Sequence, residues 1–428
     1  MRRELLSLHL SLGTLLTPAL LTLTLSACTG GNQGLPAVTT PPALTVPPVA
    51  VQPVPVQPVP VPVISPPLKV TGGISAVSQT PGAALDVFAT ADPAGMVFDR
   101  WVGDTAVLLT PGERRSGAAS TSAGQSVRAT YRPLAEFTPI TAVLNGLPAT
   151  NSAAVNAYWS FPRALPTGVI FRLHGKGGNA QTQFTKTEER KFARDAVADG
   201  FAVVLLDSTD RVNKSWDATT DPGNPAANAD VRNIQQLIAR FKTQGLMNDV
   251  TPVFASGMSA GAGAALRFAY LLHWKAIHQA CVPGTLQIAQ TTTVPGIWTM
   301  AQNDTREEPT RDADALTNSN ALAARGIATQ YVLVAPSAVY PARFAQIASI
   351  TEADSQLIYA TLRLAGLLDA NDFQTTDPND VANLAAIIPA AYTAFAAEIG
   401  NQLNVAYTAH QFSAATNRRV LDFFKARL

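Results

Sequence analysis

The sequence predicts an α/β domain built on a mostly parallel central sheet with flanking helices and a helical insertion. A small β-rich module and a disordered proline-rich stalk precede this domain. Hydrophobic residues make up 47% of the 428 residues, enough for a sizeable core, and the length favours two or three domains. From residue 136 onward, strand-like apolar runs alternate with helical stretches, as in a parallel sheet with crossover helices. We expect boundaries at 1–27, 28–67, 68–133 and 136–428.

The charge balance is nearly neutral. Lys plus Arg number 31 and Asp plus Glu number 30, which leaves a formal net charge of +1. Such a chain has no basic field that could hold a phosphate backbone, so no nucleic-acid partner is expected. The two cysteines, Cys28 and Cys281, do not make a disulfide framework.

The N-terminus has the pattern of a secretory signal. Arg2 and Arg3 precede an apolar stretch at 5–25. The alternative is an uncleaved membrane helix, for which the stretch is long enough. The sequence Leu-Ser-Ala-Cys at 25–28 resembles the lipobox of bacterial lipoproteins, which implies that Cys28 is lipidated and becomes the first mature residue. We therefore expect a lipid-anchored protein of the cell envelope that faces outside the cytoplasmic membrane.

Residues 28–67 form a proline-rich linker. Val-Pro and Gln-Pro units repeat at 51–63, and proline at nearly alternate positions excludes a helix or an interior strand. A polyproline-like stalk is predicted, with about 3.1 Å per residue and a reach on the order of 100 Å. A proline-rich ligand for a partner domain is the alternative, but such ligands usually carry flanking charges, which are absent here before Lys69.

The segment 68–133 predicts several short strands, among them 84–89 and 126–131, separated by Gly, Pro and Ser turns. The order of its turns and strands, with 95–101 at the centre, resembles the divergent internalin B-type repeat of bacterial surface proteins. That resemblance implies that Phe98 and Trp101 form the core of the module. The module could bind a ligand or act as a spacer. We favour the spacer, because no polar or aromatic cluster beyond Trp101 indicates a ligand surface.

The main domain contains a Gly-x-Ser-x-Gly motif at 257–261. It directly follows an apolar strand at 251–256 and precedes a helix predicted at 260–272. The motif requires a sharp turn between strand and helix that exposes a serine, with glycines where side chains would collide. Ser259 is therefore the predicted nucleophile.

A second motif reads His-Gly-Lys-Gly-Gly at 174–178, after the strand predicted at 168–173. It resembles the oxyanion loop of the α/β-hydrolase superfamily. The resemblance implies that Lys176, or its neighbours Gly175 and Gly177, donates one backbone N–H to an oxyanion, while Ala260 donates the other. A phosphate cradle is the alternative, but no Gly-Lys-Ser/Thr sequence opens the following helix.

The acid of a catalytic triad should follow a later strand. Asp304 lies just after the strand predicted at 296–302 and is the leading candidate, whereas Glu307 and Glu308 lie further from the strand end. In this fold the histidine comes last in the chain.

Of the five histidines, only His410 lies beyond Asp304, so elimination makes it the general base. His174 belongs to the oxyanion loop. His273 and His278 flank the end of the nucleophile helix, where a capping or surface role is expected.

These motifs together resemble the secreted esterases of the α/β-hydrolase superfamily, in particular the polyhydroxyalkanoate depolymerase and feruloyl esterase-like group. Asp230-Val231-Arg232 followed by Asp249 adds to the likeness, whereas Lys176 and Ala262 depart from that group. The resemblance implies an ester hydrolase with a Ser-His-Asp triad, an acyl-enzyme intermediate, no metal or organic cofactor, and a small-molecule or polymeric ester as substrate. A hydrolase-fold binding protein without turnover and a serine peptidase are the alternatives.

The segment at about 340–400 is predicted to be a helical insertion. Its apolar runs at 357–368 and 381–399, the second broken at Pro389, are too long for a loop and too apolar to be solvated. Because it ends shortly before His410, we expect a cap over Ser259 that contributes the acyl-binding wall. An annex packed on the sheet edge is the alternative.

Overall fold

The structure is a computed structural model that describes residues 68–122, 124–134, 140–144, 155–162, 164–305 and 308–428. All of these residues belong to one compact unit, Val63–Leu428. The predicted signal segment, the stalk, Cys28 and Glu307 lie outside the described residues. No helix in the described part of the chain is long and apolar enough to cross a bilayer.

The N-terminal module consists of two small sheets with the strand orders β1-β6-β4 and β2-β3-β5. Its strands are β1 (Lys69–Thr71), β2 (Gly73–Val77), β3 (Leu85–Ala89), β4 (Met96–Gly103), β5 (Arg115–Ala118) and β6 (Ser126–Pro133). Phe98 and Trp101 lie in its core, with ring centroids 5.9 Å apart in an edge-on arrangement. The indole N–H of Trp101 donates to the carbonyl oxygen of Glu113 at 3.0 Å, so this large side chain is buried without an unsatisfied donor.

The central sheet has eight strands in the order β14-β13-β12-β11-β9-β10-β8-β7. They are β7 (Ile140–Leu144), β8 (Val155–Ser160), β9 (Val169–Leu173), β10 (Ala202–Leu206), β11 (Val253–Met258), β12 (Ala276–Ala280), β13 (Gly296–Ala301) and β14 (Thr329–Val334). Strand β8 is antiparallel to both of its neighbours, and β9 to β14 are parallel. The chain therefore has the α/β-hydrolase fold, as the sequence predicted.

Ten α-helices are present among the described residues: α1 (Ala180–Thr185), α2 (Thr187–Ala198), α3 (Ala229–Thr243), α4 (Ala260–Leu272), α5 (Leu286–Thr291), α6 (Arg311–Ala323), α7 (Glu352–Leu364), α8 (Leu384–Ile387), α9 (Ala396–Tyr407) and α10 (Asn417–Lys425). The sequence favours one helix over 184–198, but the structure has two, α1 and α2. Lys186 has an extended backbone (φ −65°, ψ 135°), and the side chain of Asn179 caps α1.

Helices cover both faces of the sheet because alternate side chains of each buried strand point to opposite sides. Phe171 packs with α3 and α4 on one face. Its strand neighbour Ile170 packs on the other face with Phe192 of α2 and Phe424 of α10. This two-sided burial explains the near-continuous apolar runs of the parallel strands.

The module is docked on the main domain. Arginine contacts join the two parts: Arg114 with Asp195 at 3.0 Å, Arg115 with the carbonyl oxygen of Ala335 at 2.6 Å, and Arg419 with Glu113 at 2.7 Å. Asp195 belongs to α2 and Arg419 to α10. These contacts hold the module against helices that cover one face of the central sheet. A module that acted only as a spacer would not need such contacts.

The insertion has its own apolar core, which includes Phe344, Ile358 and Leu403. The predicted break at Pro389 is present, because α8 ends at Ile387 and a 3₁₀ turn follows at Ala390–Phe395.

The insertion packs against the first turn of α2. The Thr187 N–H donates to Glu398 at 2.9 Å, and Gln402 donates to Glu188 at 3.0 Å. It also approaches the segment of His410, because Gln411 donates to Asn401 at 3.3 Å. The cap over Ser259 remains a prediction.

Candidate active site

Ser259 lies on the sharp turn between β11 and α4. Its backbone is in an unfavourable region for an L-residue, with φ 57° and ψ −128°. The surrounding structure enforces this conformation: a Cβ on Gly257 would lie 2.1 Å from the carbonyl oxygen of Gly261, and a Cβ on Gly261 would lie 2.2 Å from that of Leu173. Both glycines of the motif are therefore required by close backbone approach.

Three predicted residues meet at this turn. The Ser259 Oγ lies 2.7 Å from Nε2 of His410, and Nδ1 of His410 lies 2.6 Å from Oδ2 of Asp304. An ionised carboxylate can only accept, so Nδ1 donates to Asp304 and Nε2 is left to accept the serine proton. The arrangement can convert the hydroxyl into a nucleophile.

The triad side chains differ in exposure. The Asp304 side chain is 2% exposed and that of His410 is 28% exposed, so the carboxylate is buried while the imidazole is partly exposed. Glu308, the other described acid candidate, accepts from Nε of Arg311 at 3.2 Å, and its side chain is mostly exposed.

The sequence reasoning missed Arg311. This buried residue donates from Nη1 to Oδ1 of Asp304 at 3.0 Å, and the same nitrogen lies 2.9 Å from Nδ1 of His410. The helix dipole disfavours a positive charge in the first turn of a helix. The arginine at this position was the signal by which the sequence could have indicated a functional residue.

The oxyanion loop is held by His174. Nε2 of His174 accepts from the Ser208 N–H at 3.2 Å, so Nδ1 carries the proton and donates to the carbonyl oxygen of Gly175 at 2.8 Å. Burial lowers the pKa of His174 to about 4, so the ring is neutral at neutral pH. No positioning role was predicted for His174, and only its place in the motif could have indicated one.

The fixed Gly175 carbonyl orients the next N–H. In a trans peptide the C=O and N–H point in opposite directions, so the Lys176 N–H points away from His174. A Cβ on Gly175 would lie 3.2 Å from Cβ of Ser259, which places this peptide beside the nucleophile. The Gly177 N–H, in contrast, donates to the carbonyl oxygen of Lys214 at 3.3 Å.

Ala260 is the first residue of α4. The first N–H groups of a helix have no acceptor within the helix, and they carry its partial positive charge. The N–H groups of Ala260 and Lys176 can therefore serve together as donors to an oxygen held above Ser259.

The surface or capping role predicted for His278 is wrong. His278 is fully buried in β12, directly opposite Ser256 of β11, which is itself opposite Arg172 of β9. Ser256 lies 2.7 Å from Nη1 of Arg172 and 2.8 Å from Nδ1 of His278, whose Nε2 lies 2.9 Å from Thr299. Burial lowers the pKa of His278, in keeping with a neutral ring between two hydroxyls. His273, in contrast, is exposed at the end of α4.

Cys281 is free and buried immediately after β12. Its thiol donates to the carbonyl oxygen of Gln411 at 3.3 Å, and burial raises its pKa. A buried thiol with a raised pKa is unreactive, so Cys281 is not a competing nucleophile.

No protein-family model matches the chain, and no curated protein matches it. Among solved structures, it is similar to a ferulic acid esterase at 11% identity, over 46% of this chain and 89% of that one, with a TM-score of 0.37. A dienelactone hydrolase from Anabaena variabilis is 17% identical over 47% of this chain and 88% of that one, with a TM-score of 0.34. A thermostable esterase is 14% identical over 53% of this chain and 61% of that one, with a TM-score of 0.37.

Proposed function

We propose that this protein is a serine hydrolase that cleaves carboxylic esters. The observation that carries the proposal is the continuous hydrogen-bonded path from Ser259 through His410 to Asp304, at 2.7 and 2.6 Å, on a strained turn. Backbone strain at a polar residue is a feature of functional sites, because ordinary packing does not require it.

The reaction proceeds by two acyl transfers. Ser259 attacks the acyl carbon while His410 takes its proton at Nε2, and the tetrahedral intermediate places a negative charge on the former carbonyl oxygen. The N–H groups of Lys176 and Ala260 stabilise that charge. His410 then protonates the leaving alcohol, and a water molecule hydrolyses the acyl-enzyme by the same steps. Only groups of this chain and water take part.

Two assays on the purified full-length chain test the proposal. We expect labelling by a fluorophosphonate probe and hydrolysis of short p-nitrophenyl esters, because both need an activated serine. A hydrolase-fold binding protein without turnover would give neither result. A matched series of esters and amides separates an esterase from a peptidase, and faster turnover of the amides would contradict ester specificity.

We expect that replacing His174 weakens the oxyanion hole without removing a donor. In His174→Gln the Gly175 carbonyl loses the Nδ1–H donor, so the Lys176 N–H is held less firmly. The value of kcat for p-nitrophenyl acetate should fall by about tenfold, less than the roughly 10²–10³-fold cost of removing a donor itself.

The matched control for this substitution is His273→Asn at the exposed end of α4, where asparagine tolerates the left-handed backbone (φ 53°). We expect it to leave kcat unchanged. Equal rates for His174→Gln and the unaltered chain would contradict the positioning role.

We also propose that the chain is anchored to the cell envelope through a lipid on Cys28. The lipobox-like sequence at 25–28 supports this, as does the proline-rich linker that follows it. Cells fed an alkyne fatty acid should label the unaltered chain but not Cys28→Ser, while Cys281→Ser should still be labelled. Equal labelling of the Cys28→Ser chain would contradict the anchor.

A further inference from the structure

Arg311 occupies a position that local helix energetics do not favour. It is the first residue of α6, where the helix dipole disfavours a positive charge, and it is 5% exposed. A buried guanidinium requires compensation by a carboxylate. The reason for its presence therefore lies in its tertiary contacts.

Those contacts join Arg311 to two members of the triad. Nη1 donates to Oδ1 of Asp304 at 3.0 Å, while Oδ2 of the same carboxylate accepts from His410 at 2.6 Å. Nη1 also lies 2.9 Å from Nδ1 of His410. Because the Nδ1 proton is already donated to Asp304, this last contact places a fixed positive charge beside the imidazole and is not a hydrogen bond.

We propose that Arg311 is a positioning residue of the triad, which compensates the buried charge of the Asp304 carboxylate and holds that carboxylate in line with His410. This role rests on the proposed serine-hydrolase function. A carboxylate that is 2% exposed and faces only a neutral imidazole would be poorly compensated, and the guanidinium supplies the missing charge.

The inference predicts a change in pH dependence. Without the guanidinium, protonation of the Asp304–His410 pair becomes easier, so activity should be lost at a higher pH on the acid side. We expect Arg311→Gln to move the midpoint of the acid limb of kcat/KM upward by about one pH unit or more. Arg311→Lys keeps a charge but not the planar fork, so it should move the midpoint by less.

Other titratable groups lie near the Asp304–His410 pair, and their effect on the pH profile must be distinguished from that of Arg311. The pKa of Asp312 is raised to about 6 by burial and then by Asp304, so Asp312 titrates within the pH range of the experiment. Cys281, on the segment after β12, remains a thiol, and Glu308 is largely in solvent. Asp312→Asn is therefore the matched control.

The experiment measures kcat/KM for p-nitrophenyl acetate and the rate of fluorophosphonate labelling between pH 4.5 and 9. The purified full-length chain is compared with Arg311→Gln, Arg311→Lys, Asp312→Asn and the double variant Arg311→Gln/Asp312→Asn. An upward shift in Arg311→Gln that persists in the double variant, with a smaller shift in Arg311→Lys, supports the role.

Four results overturn it. A folded Arg311→Gln with an unshifted acid limb shows that the residue is only a structural ion pair. A shift that disappears in the double variant belongs to Asp312. If Arg311→Gln does not fold, the test rests on Arg311→Lys. A pH profile of Arg311→Lys that superimposes on that of the unaltered chain rejects the role. An unaltered chain that is neither active nor labelled would reject the proposed function itself, and the role with it.

Discussion

Ser259→Ala should abolish ester hydrolysis. We expect kcat/KM for p-nitrophenyl esters to fall by at least about 10⁴-fold and fluorophosphonate labelling to disappear, because no other described group lies where the acyl carbon would be attacked. The substitution removes one oxygen atom and leaves the surrounding packing unchanged. The circular dichroism spectrum and the thermal midpoint should therefore stay near those of the unaltered chain.

The matched control is Ser120→Ala in the exposed part of the N-terminal module, which should retain full activity and labelling. Residual hydrolysis by Ser259→Ala near the unaltered rate would reject Ser259 as the nucleophile.

The second large effect is expected on stability. Arg172 is buried in β9, donates from Nε and Nη2 to Glu189 at 2.7 and 2.8 Å, and lies 4.2 Å from the ring centroid of Phe412. Arg172→Met leaves the Glu189 carboxylate buried without its partner. Breaking a buried pair in this way costs about 3–5 kcal/mol in the free energy of unfolding, which urea denaturation would measure.

Two further variants make this prediction specific. Arg172→Met combined with Glu189→Gln should recover part of the loss, because the uncompensated charge is then removed. Lys242→Met breaks an exposed pair with Asp249 and should change the stability by no more than about 1 kcal/mol. Equal losses for Arg172→Met and Lys242→Met would contradict the buried-pair argument.

The alternation of strands and helices and the places of Ser259, Asp304 and His410 could be predicted because each follows from a pattern along the chain. A glycine-flanked turn, a carboxylate after a strand and a late histidine are all visible in the sequence. The resulting fold is confirmed, and the structure brings the three side chains together.

The role of His278 could not be inferred from local pattern alone. Its partners Arg172, Ser256 and Thr299 come from three other strands, and only the sheet register aligns them. Polar residues inside apolar strands were nevertheless a signal, because buried polar side chains need hydrogen-bond partners. Arg311 lies only seven residues after Asp304, but no regular strand or helix pattern connects the two positions, so their contact could not be inferred from the sequence.

The docking of the N-terminal module has a consequence for the order of assembly. Glu113 contacts Arg419, a partner 306 positions later in the chain, on the last helix, α10. During synthesis the module emerges and folds before the surface that it docks on is complete. The docked surface is therefore completed only when α10 has been made, and a chain that stops short of α10 leaves Glu113 without its partner.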